Sequence, residues 1–294
     1  LGDVYKRQVL WTVVDITERV KAKDKIEQLA SKLSRYLSPQ VYQSIFSGKK
    51  NVKIEAYRKK LTVFFSDIKG FTEITDRLEP EVLSTLLNSY LNEMSKIALK
   101  YGGTIDKFVG DAILIFFGDP ETKGDKEDAY SCVLMALEMQ ERMHHLKNLW
   151  EGQGITNPLE IRIGINTGYC NVGNFGSENR LDYTIIGGEV NLASRLESNA
   201  MTGQILISQE TYALIKKHIV CEKKDEIKVK GIAHKIQTYQ VVGSYKNIAQ
   251  KRKILNEEFD GFNLNIDLNI SKKNKVITSL ENTLKQLKKD EKSN

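Results

Sequence analysis

The stretch that most constrains the fold of this chain is KLTVFFSDIKGFT, residues 60–72. A short apolar and β-prone run ends in Asp67, which predicts a buried strand with a carboxylate at its C-terminal end. Gly70 then permits a turn in which the backbone N–H groups around Phe71 and Thr72 open towards an anion, before an amphipathic helix begins. A carboxylate beside exposed amides suggests a site for a metal ion and a phosphate together.

A second acidic residue, Asp111, stands in a pattern that fits the first. It follows Gly110 in the tight turn of a predicted hairpin, between strands over residues 105–109 and 112–117. Two aspartates at the ends of adjacent strands could bridge two Mg²⁺ ions about 4 Å apart, an arrangement that activates an attacking oxygen and binds phosphates. Either aspartate alone would more often be a turn or cap residue, so the interpretation depends on a third stretch.

The third stretch is YTIIGGEVNLASRLE, residues 183–197, which has the pattern of a strand, a glycine turn and a helix. Asn191 and Arg195 are four residues apart, so they project from one helix face. Together with FSDIKGFT and KFVGD, in this order, the stretch resembles the catalytic domain of the class III nucleotidyl cyclases. The resemblance covers residues 59–243.

The resemblance implies a fold, a reaction and a set of metal ligands. The fold is an α+β, ferredoxin-like βαββαβ sandwich, and the alternation of predicted helices and strand pairs agrees with it. The reaction converts ATP to 3′,5′-cyclic AMP and pyrophosphate, with two Mg²⁺ or Mn²⁺ ions in each active site. The metal ligands implied by the resemblance are Asp67, Asp111 and the main chain of Ile68.

The resemblance also assigns groups that contact the nucleotide. Arg195 would stabilise the charge that develops on the α-phosphoryl group, and Asn191 would orient the ribose. In the family these two groups come from the subunit opposite the one that holds the metals. One chain carries both sets here, so a homodimer with two equivalent sites is expected.

Contacts to the phosphates are expected at three further positions. Phe71 and Thr72 lie in the turn after the first aspartate, and Lys230 matches the phosphate-binding lysine of the family. A solvated lysine at a strand end is the alternative for Lys230. The glycine-rich residues 171–179 predict a hairpin loop near the site, which is either purely structural or in contact with phosphate.

Two residues predict which purine is used. Lys107 lies four residues before Asp111, where the family places its base-reading lysine, and its ammonium can only donate, which suits adenine N1. Thr184 lies seven residues before Asn191, and its hydroxyl can accept from the 6-amino group but can also donate. Guanylate cyclases typically have glutamate at the lysine position, so ATP is expected to be preferred. A guanylate cyclase with the same machinery, or a non-catalytic dimerising regulatory domain, remains the alternative.

The regions outside the catalytic domain have distinct characters. Residues 1–8, LGDVYKRQ, resemble a translated sequencing-library adapter. Residues 9–20 resemble the end of a PAS sensor domain, an upstream partner, with an ordinary strand-to-helix junction as the alternative. Residues 21–58 are predicted to form a helical linker with a short coiled-coil seam. Residues 244–294 are expected to be an accessory tail of one strand and one helix.

Composition excludes several other functions. The net charge of +6 comes mostly from lysines scattered through helices and tail with little aromatic interleaving, which favours solvated faces over a nucleic-acid partner. No apolar run reaches about 18 residues, so no membrane segment is predicted in this chain. The three cysteines are odd in number and widely spaced, which indicates reduced thiols and a cytoplasmic location.

Overall fold

The computed structural model describes residues 17–33, 38–46, 54–152, 155, 159–228, 235–245, 254–259, 262–267 and 273–290. The chain divides into two compact units, Leu1–Lys53 and Ile54–Asn294. None of the described helices is both long enough and apolar enough to cross a membrane.

The first unit contains helices α1 (Thr17–Leu33) and α2 (Pro39–Phe46). Ser38 caps α2, because its Oγ accepts a hydrogen bond from the Val41 N–H at 3.3 Å. Two residues of the predicted coiled-coil seam, Ile26 and Leu29, are exposed in the single chain. Residues 9–16, most of the segment that resembles the end of a sensor domain, lie outside the described residues. That resemblance and the coiled coil stay predictions.

The second unit carries one large mixed sheet. Its elements in chain order are β1 (Ala56–Ile68), α3 (Phe71–Thr75), α4 (Pro80–Tyr101), β2 (Thr104–Val109), β3 (Ala112–Phe117), α5 (Asp125–Gly152), β4 (Ile161–Ser177), β5 (Arg180–Ile186), α6 (Gly188–Asn199), β6 (Ile205–Ser208), α7 (Gln209–Ile215), β7 (Ile219–Lys223), β8 (Thr238–Ser244), β9 (Ile254–Phe259), β10 (Phe262–Asp267) and α8 (Lys273–Asp290).

The first four strands have the ferredoxin-like arrangement. Their spatial order is β2-β3-β1-β4, and each neighbouring pair is antiparallel. Helix α4 follows β1 and α5 follows β3, which completes the βαββαβ unit, so the predicted fold is confirmed. The sheet continues beyond β4 through β6, β8 and β7, while β5 pairs back onto β4 as a hairpin.

Strand β1 is an interior strand of the sheet, and its middle part is buried on both faces, which is why residues 61–65 form a mainly apolar run. Phe64 and Ile68 face a core built largely from α4, α5, β3 and β4. Leu61 and Val63 face the opposite side, where they share a second core with Ala193 of α6. Helix α6 and the pair α4 and α5 therefore cover opposite faces, and the odd-numbered Asp67 lies on the α6 face.

Two sequence expectations need correction. Residues 171–179 are not a loop: β4 runs to Ser177 and β5 begins at Arg180, so only a tight turn separates two paired strands. The accessory tail has two strands rather than one, because β9 pairs with β10 along its length before α8 begins. Polar residues in both segments, and glycines in residues 171–179, concealed the strand pattern, and pairing with the neighbouring strand supplies the ladder of backbone hydrogen bonds.

Candidate active site

Asp67 and Asp111 meet where the end of β1 lies beside the turn between β2 and β3. Asp67 is the penultimate residue of β1, and β1 pairs antiparallel with β3, whose first residue directly follows Asp111. Gly110 has a φ of 64°, a left-handed conformation that glycine adopts without steric cost, and it closes the turn. The Ile68 N–H donates a hydrogen bond to Asp111 Oδ2 at 3.0 Å, which holds the second carboxylate against the first strand.

The electrostatics of this pair fit a divalent cation. Burial and the neighbouring carboxyl of Asp67 raise the pKa of Asp111 to about 6. A cation bound beside Asp111 would stabilise the charge that burial and the neighbouring carboxyl disfavour, and oxygen ligands suit Mg²⁺ or Mn²⁺. Within the described residues no cluster of three or more His, Cys, Asp or Glu side chains could hold a metal. Water and substrate phosphates would therefore complete the coordination, as is usual for Mg²⁺.

A cation from β4, Arg162, lies beside this pair. Its Nη2 donates a hydrogen bond to Asp67 Oδ2 at 3.0 Å. Its Nε lies 2.6 Å from Glu197 Oε1 of α6, a contact that is an ion pair without hydrogen-bond alignment. Burial raises the pKa of Glu197 and the charge of Arg162 opposes that shift. Arg162 therefore links Asp67, at the end of β1, to the buried side of α6.

The predicted pair Asn191 and Arg195 lies on the opposite, exposed side of α6. Both side chains are exposed, and neither has a hydrogen-bond partner among the described residues. The sheet-facing side of the helix carries Leu192, Ala193 and Leu196, all buried. The structure thus presents the asparagine and arginine on one helix face as predicted, with that face directed to the surface.

Helix α6 is held tightly against β4. Gly164 lies directly beneath it, and a Cβ at this position would come within 2.1 Å of the Glu197 backbone nitrogen. Asn166, the next residue on the same face of β4, donates from Nδ2 to the carbonyl of Glu189 at 3.0 Å and to its carboxylate at 2.7 Å. These contacts set the height and the rotation of the helix that carries Asn191 and Arg195.

Lys107 and Thr184 are brought together by a residue that the sequence reading missed. The buried carboxylate of Asp106 accepts a hydrogen bond from Thr184 Oγ1 at 2.6 Å and one from the Ile185 N–H at 3.3 Å. Lys107 Nζ lies 3.4 Å from Asp106 Oδ1. Burial raises the pKa of Asp106, while these hydrogen bonds and the lysine charge oppose the shift. The two predicted base-reading groups therefore flank one buried carboxylate.

A second buried aspartate, Asp119, holds β5 in place. Tyr57 donates a hydrogen bond to its Oδ2 at 2.6 Å, Lys59 donates to the same atom at 2.9 Å, and Tyr183 donates to Oδ1. Tyr183 directly precedes Thr184, so this network fixes the part of β5 that carries the threonine. The charge of the buried carboxylate is fully partnered, which indicates a structural role.

The predicted phosphate contacts are less defined. Phe71 and Thr72 are the first residues of α3, and the first hydrogen bond along this helix runs from the Ile74 N–H to the Gly70 carbonyl at 3.1 Å. Phe71 packs partly against the core and Thr72 is exposed. Lys230 lies outside the described residues. All three assignments stay predictions.

The sequence contains a weak indication of the two partnered charges, Asp106 and Arg162, that its motifs did not reveal. Asp106 and Arg162 are charged residues within largely apolar stretches, IDKFV and LEIRIGI. A charge inside such a strand must be paired or reach the surface, since burying it alone is costly. The pattern therefore marked both residues as partnered, although their partners on β5 and α6 are distant in sequence.

A ferredoxin-like sheet with paired aspartates at the end of its central strand and an exposed asparagine-arginine face is the arrangement of a class III nucleotidyl cyclase catalytic domain. The family model described as the adenylate and guanylate cyclase catalytic domain matches residues 52–243. The chain belongs to this family. Cyclase domains of the family bind a nucleotide substrate, form dimers and generally depend on metal ions.

Similar proteins include both kinds of cyclase. The crystal structure of the adenylyl cyclase CyaB from P. aeruginosa is 64% identical, with a TM-score of 0.64 over 66% of this chain and 98% of that chain. The guanylate cyclase domain of RhGC from Catenaria anguillulae, solved in complex with GTP, is 35% identical, with a TM-score of 0.58 over 65% of this chain and 99% of that one.

Among curated proteins, the terminal-differentiation specific adenylate cyclase of Dictyostelium discoideum is 34% identical over 225 residues, which are 74% of this chain and 10% of that protein. The chain spans less than half of the length of the curated relatives that it matches.

Proposed function

We propose that this chain is the catalytic part of an adenylate cyclase, which converts ATP to 3′,5′-cyclic AMP and pyrophosphate in signal transduction. The observation that carries the proposal is the meeting of Asp67 and Asp111 at the end of β1, in a pair whose electrostatics favour a divalent cation. The 64% identity to an adenylyl cyclase supports the adenylate assignment.

The chemistry is an intramolecular substitution, in which the ribose 3′ oxygen attacks the α-phosphorus and pyrophosphate leaves. Two Mg²⁺ or Mn²⁺ ions, held by Asp67, Asp111 and the main chain of Ile68, would supply a lowered pKa of the 3′-hydroxyl and a counter-charge for the triphosphate. Phe71, Thr72 and Lys230 are proposed to contact the phosphates.

Arg162 is a further candidate for the triphosphate end of the site. In the structure its guanidinium neutralises Asp67. A divalent cation on Asp67 would compete for the same carboxylate oxygens and leave Nη2 to bind an anion, while Nε keeps its ion pair with Glu197. Arginine suits this role because its planar donors match phosphate oxygens.

Asn191 is proposed to orient the ribose, and Arg195 to stabilise the negative charge that develops on the α-phosphoryl group. These side chains and the aspartates are proposed to meet across a homodimer. Glu197, which connects to Asp67 through Arg162, lies on the buried side of α6. Arg195 projects about 160° away from it around the helix axis, since α-helical residues advance by about 100° each. The exposed face of α6 is therefore available to a second chain.

The base assignment rests on Lys107 and Thr184. The ammonium donates to adenine N1, and the threonine hydroxyl accepts from the 6-amino group. Guanine would place its N1 donor against the lysine, so ATP is expected to be preferred over GTP by about 10- to 100-fold in kcat/KM. Lys107→Glu should narrow or reverse this ratio.

The test measures cyclic nucleotide production by the purified chain from ATP and from GTP, with Mg²⁺ and with Mn²⁺, and after removal of divalent cations by EDTA. Asp67→Ala and Asp111→Ala should each abolish turnover with little change in folding, because both side chains lie at a strand end. Asp125→Asn, which removes an exposed charge at the start of α5, is the matched control and should retain activity.

A second measurement separates metal binding from turnover. Mn²⁺ should raise the Tm of the unmodified chain by mass action, and this shift should be lost in both aspartate variants. Full activity in either variant would refute the metal assignment. Equal or better use of GTP would refute the adenylate assignment, and metal binding without turnover from either nucleotide would indicate a regulatory domain.

A further inference from the structure

Asp106 occupies an irregular position in β2 that sets the direction of its side chain. The register between β2 and β3 shifts between Ile105 and Lys107, so Asp106 is the extra residue of a β-bulge. The Asp106 side chain is only 1% exposed, while that of the adjacent Lys107 is 42% exposed. The bulge thus turns a carboxylate into the protein beside a lysine that reaches solvent.

The contacts of Asp106 identify it as a hydrogen-bond acceptor. Its Oδ2 lies 2.6 Å from Thr184 Oγ1 and 3.3 Å from the Ile185 nitrogen, while Lys107 Nζ lies near Oδ1. The backbone N–H and the ammonium can only donate, and both favour an ionised carboxylate, which can only accept. The hydroxyl of Thr184 must therefore donate its proton to Asp106.

This hydrogen bond determines whether the Thr184 hydroxyl can donate to a base or can only accept from it. A hydroxyl has one proton and two lone pairs, so a free threonine can either donate to a base or accept from it. Thr184 is buried, and its single proton is committed to Asp106. Only its lone pairs remain for a ligand, which makes Thr184 an acceptor beside the donor Lys107.

We propose that Asp106 is a positioning residue for purine selectivity, which acts through Thr184 by fixing its hydroxyl as an acceptor. This inference rests on the proposed nucleotide cyclase function and adds the reason for its choice of base. An ordered pair of one donor and one acceptor matches adenine, with an acceptor at N1 and a donor at position 6. Guanine presents a donor at N1 and an acceptor at position 6, so both contacts are mismatched when the base sits in the same orientation.

The experiment compares kcat/KM for ATP and GTP in the unmodified chain, Asp106→Ala, Asp106→Asn, Thr184→Val and the double variant Asp106→Ala/Thr184→Val. Asp106→Ala frees the Thr184 hydroxyl either to donate or to accept. We expect the ratio of kcat/KM for ATP to kcat/KM for GTP to fall about 10-fold, which corresponds to the loss of one hydrogen bond that discriminates between the bases. Asp106→Asn should restore most of the ratio, since its amide oxygen can accept from Thr184 and Ile185. In the Thr184→Val background the loss of Asp106 should not change the ratio further.

Asp182→Ala is the matched control, because Asp182 is an exposed aspartate on the same strand as Thr184. It should leave the ratio unchanged. A purely structural role of Asp106 in joining β2 to β5 would lower kcat/KM for both nucleotides in parallel and lower the Tm, with the ratio intact. That result, or an equal loss of selectivity in both threonine backgrounds, would overturn the proposal.

Binding of 3′-deoxy-ATP and 3′-deoxy-GTP, which lack the attacking hydroxyl, provides a readout that does not depend on turnover. The ratio of their Kd values in the presence of Mn²⁺ should follow the same pattern across the variants. A chain that binds both analogues but cyclises neither nucleotide would contradict the proposed function and still test the role of Asp106. An active cyclase whose selectivity is unaffected by Asp106→Ala would contradict only this inference.

Discussion

Complementation between Asp67→Ala and Arg195→Ala chains tests the dimer proposal most directly. Asp67 lies at the end of β1 and is joined through Arg162 to the buried side of α6, whereas Arg195 lies on the exposed side of that helix. If the exposed side serves a second chain, each active site takes its carboxylates from one subunit and its arginine from the other. Each variant alone should be nearly inactive, with a loss of about 100- to 1000-fold for Arg195→Ala.

The recovery on mixing follows from the two-fold symmetry. With equal amounts and free exchange, about half of all dimers are heterodimers. Each heterodimer contains one site with both defects and one intact site, so it should have about half of the normal activity. The mixture should therefore recover about a quarter of the unmodified activity, well above the background of either variant.

The assay measures cyclic AMP formed after the two chains, each with a different affinity tag, are mixed and allowed to exchange. Sequential purification on both tags isolates the heterodimers and shows that they formed. A mixture of Asp67→Ala with Asp111→Ala is the control, because each of its sites keeps one defective metal ligand and should stay inactive. No recovery in isolated Asp67→Ala/Arg195→Ala heterodimers would place both groups in one chain and refute the reasoning.

Three further predictions concern the parts that position the site. Gly164→Ala should lower the free energy of unfolding, measured in urea, by about 1–3 kcal/mol or more, since its Cβ would meet backbone atoms of α6. Gly152→Ala is the control and should leave this free energy unchanged, because no atom of the described residues lies within 4 Å of the added Cβ. Arg162→Met should lower the free energy of unfolding by about 2–3 kcal/mol, because Glu197, with a side chain 7% exposed, loses its counter-charge. Adding Glu197→Gln should recover part of this loss. An unchanged Tm in the single variant would contradict the ion pair. Burial raises the pKa of Cys170 to about 12 and that of Cys221 to about 11, and it also raises the pKa of Cys132. Iodoacetamide should therefore react slowly with the native chain at neutral pH and rapidly after unfolding. Fast alkylation of the native chain would show that these thiols are accessible.

Local sequence determined a large part of this fold. The apolar run before Asp67, the glycine turn before Asp111 and the strand-turn-helix pattern around Asn191 each appear in the structure as predicted. These features depend on side-chain period and on turn chemistry, which act over a few residues and can be read without knowing the partner strands. The alternation of helices and strand pairs in the βαββαβ unit follows in the same way.

Tertiary structure decided how the candidate site is connected. Asp106 meets Thr184 across 78 positions of sequence, and Arg162 meets Asp67 across 95. Residues 171–177 become part of a paired strand because β4 and β5 form a ladder whose hydrogen bonds outweigh the weak strand preference of glycine and asparagine. A buried charge in a strand signals that a partner exists, but only the packing of distant elements determines which residue that partner is. For this reason the sequence could indicate the candidate site residues, whereas only the fold showed that Asp106 and Arg162 contact two of them.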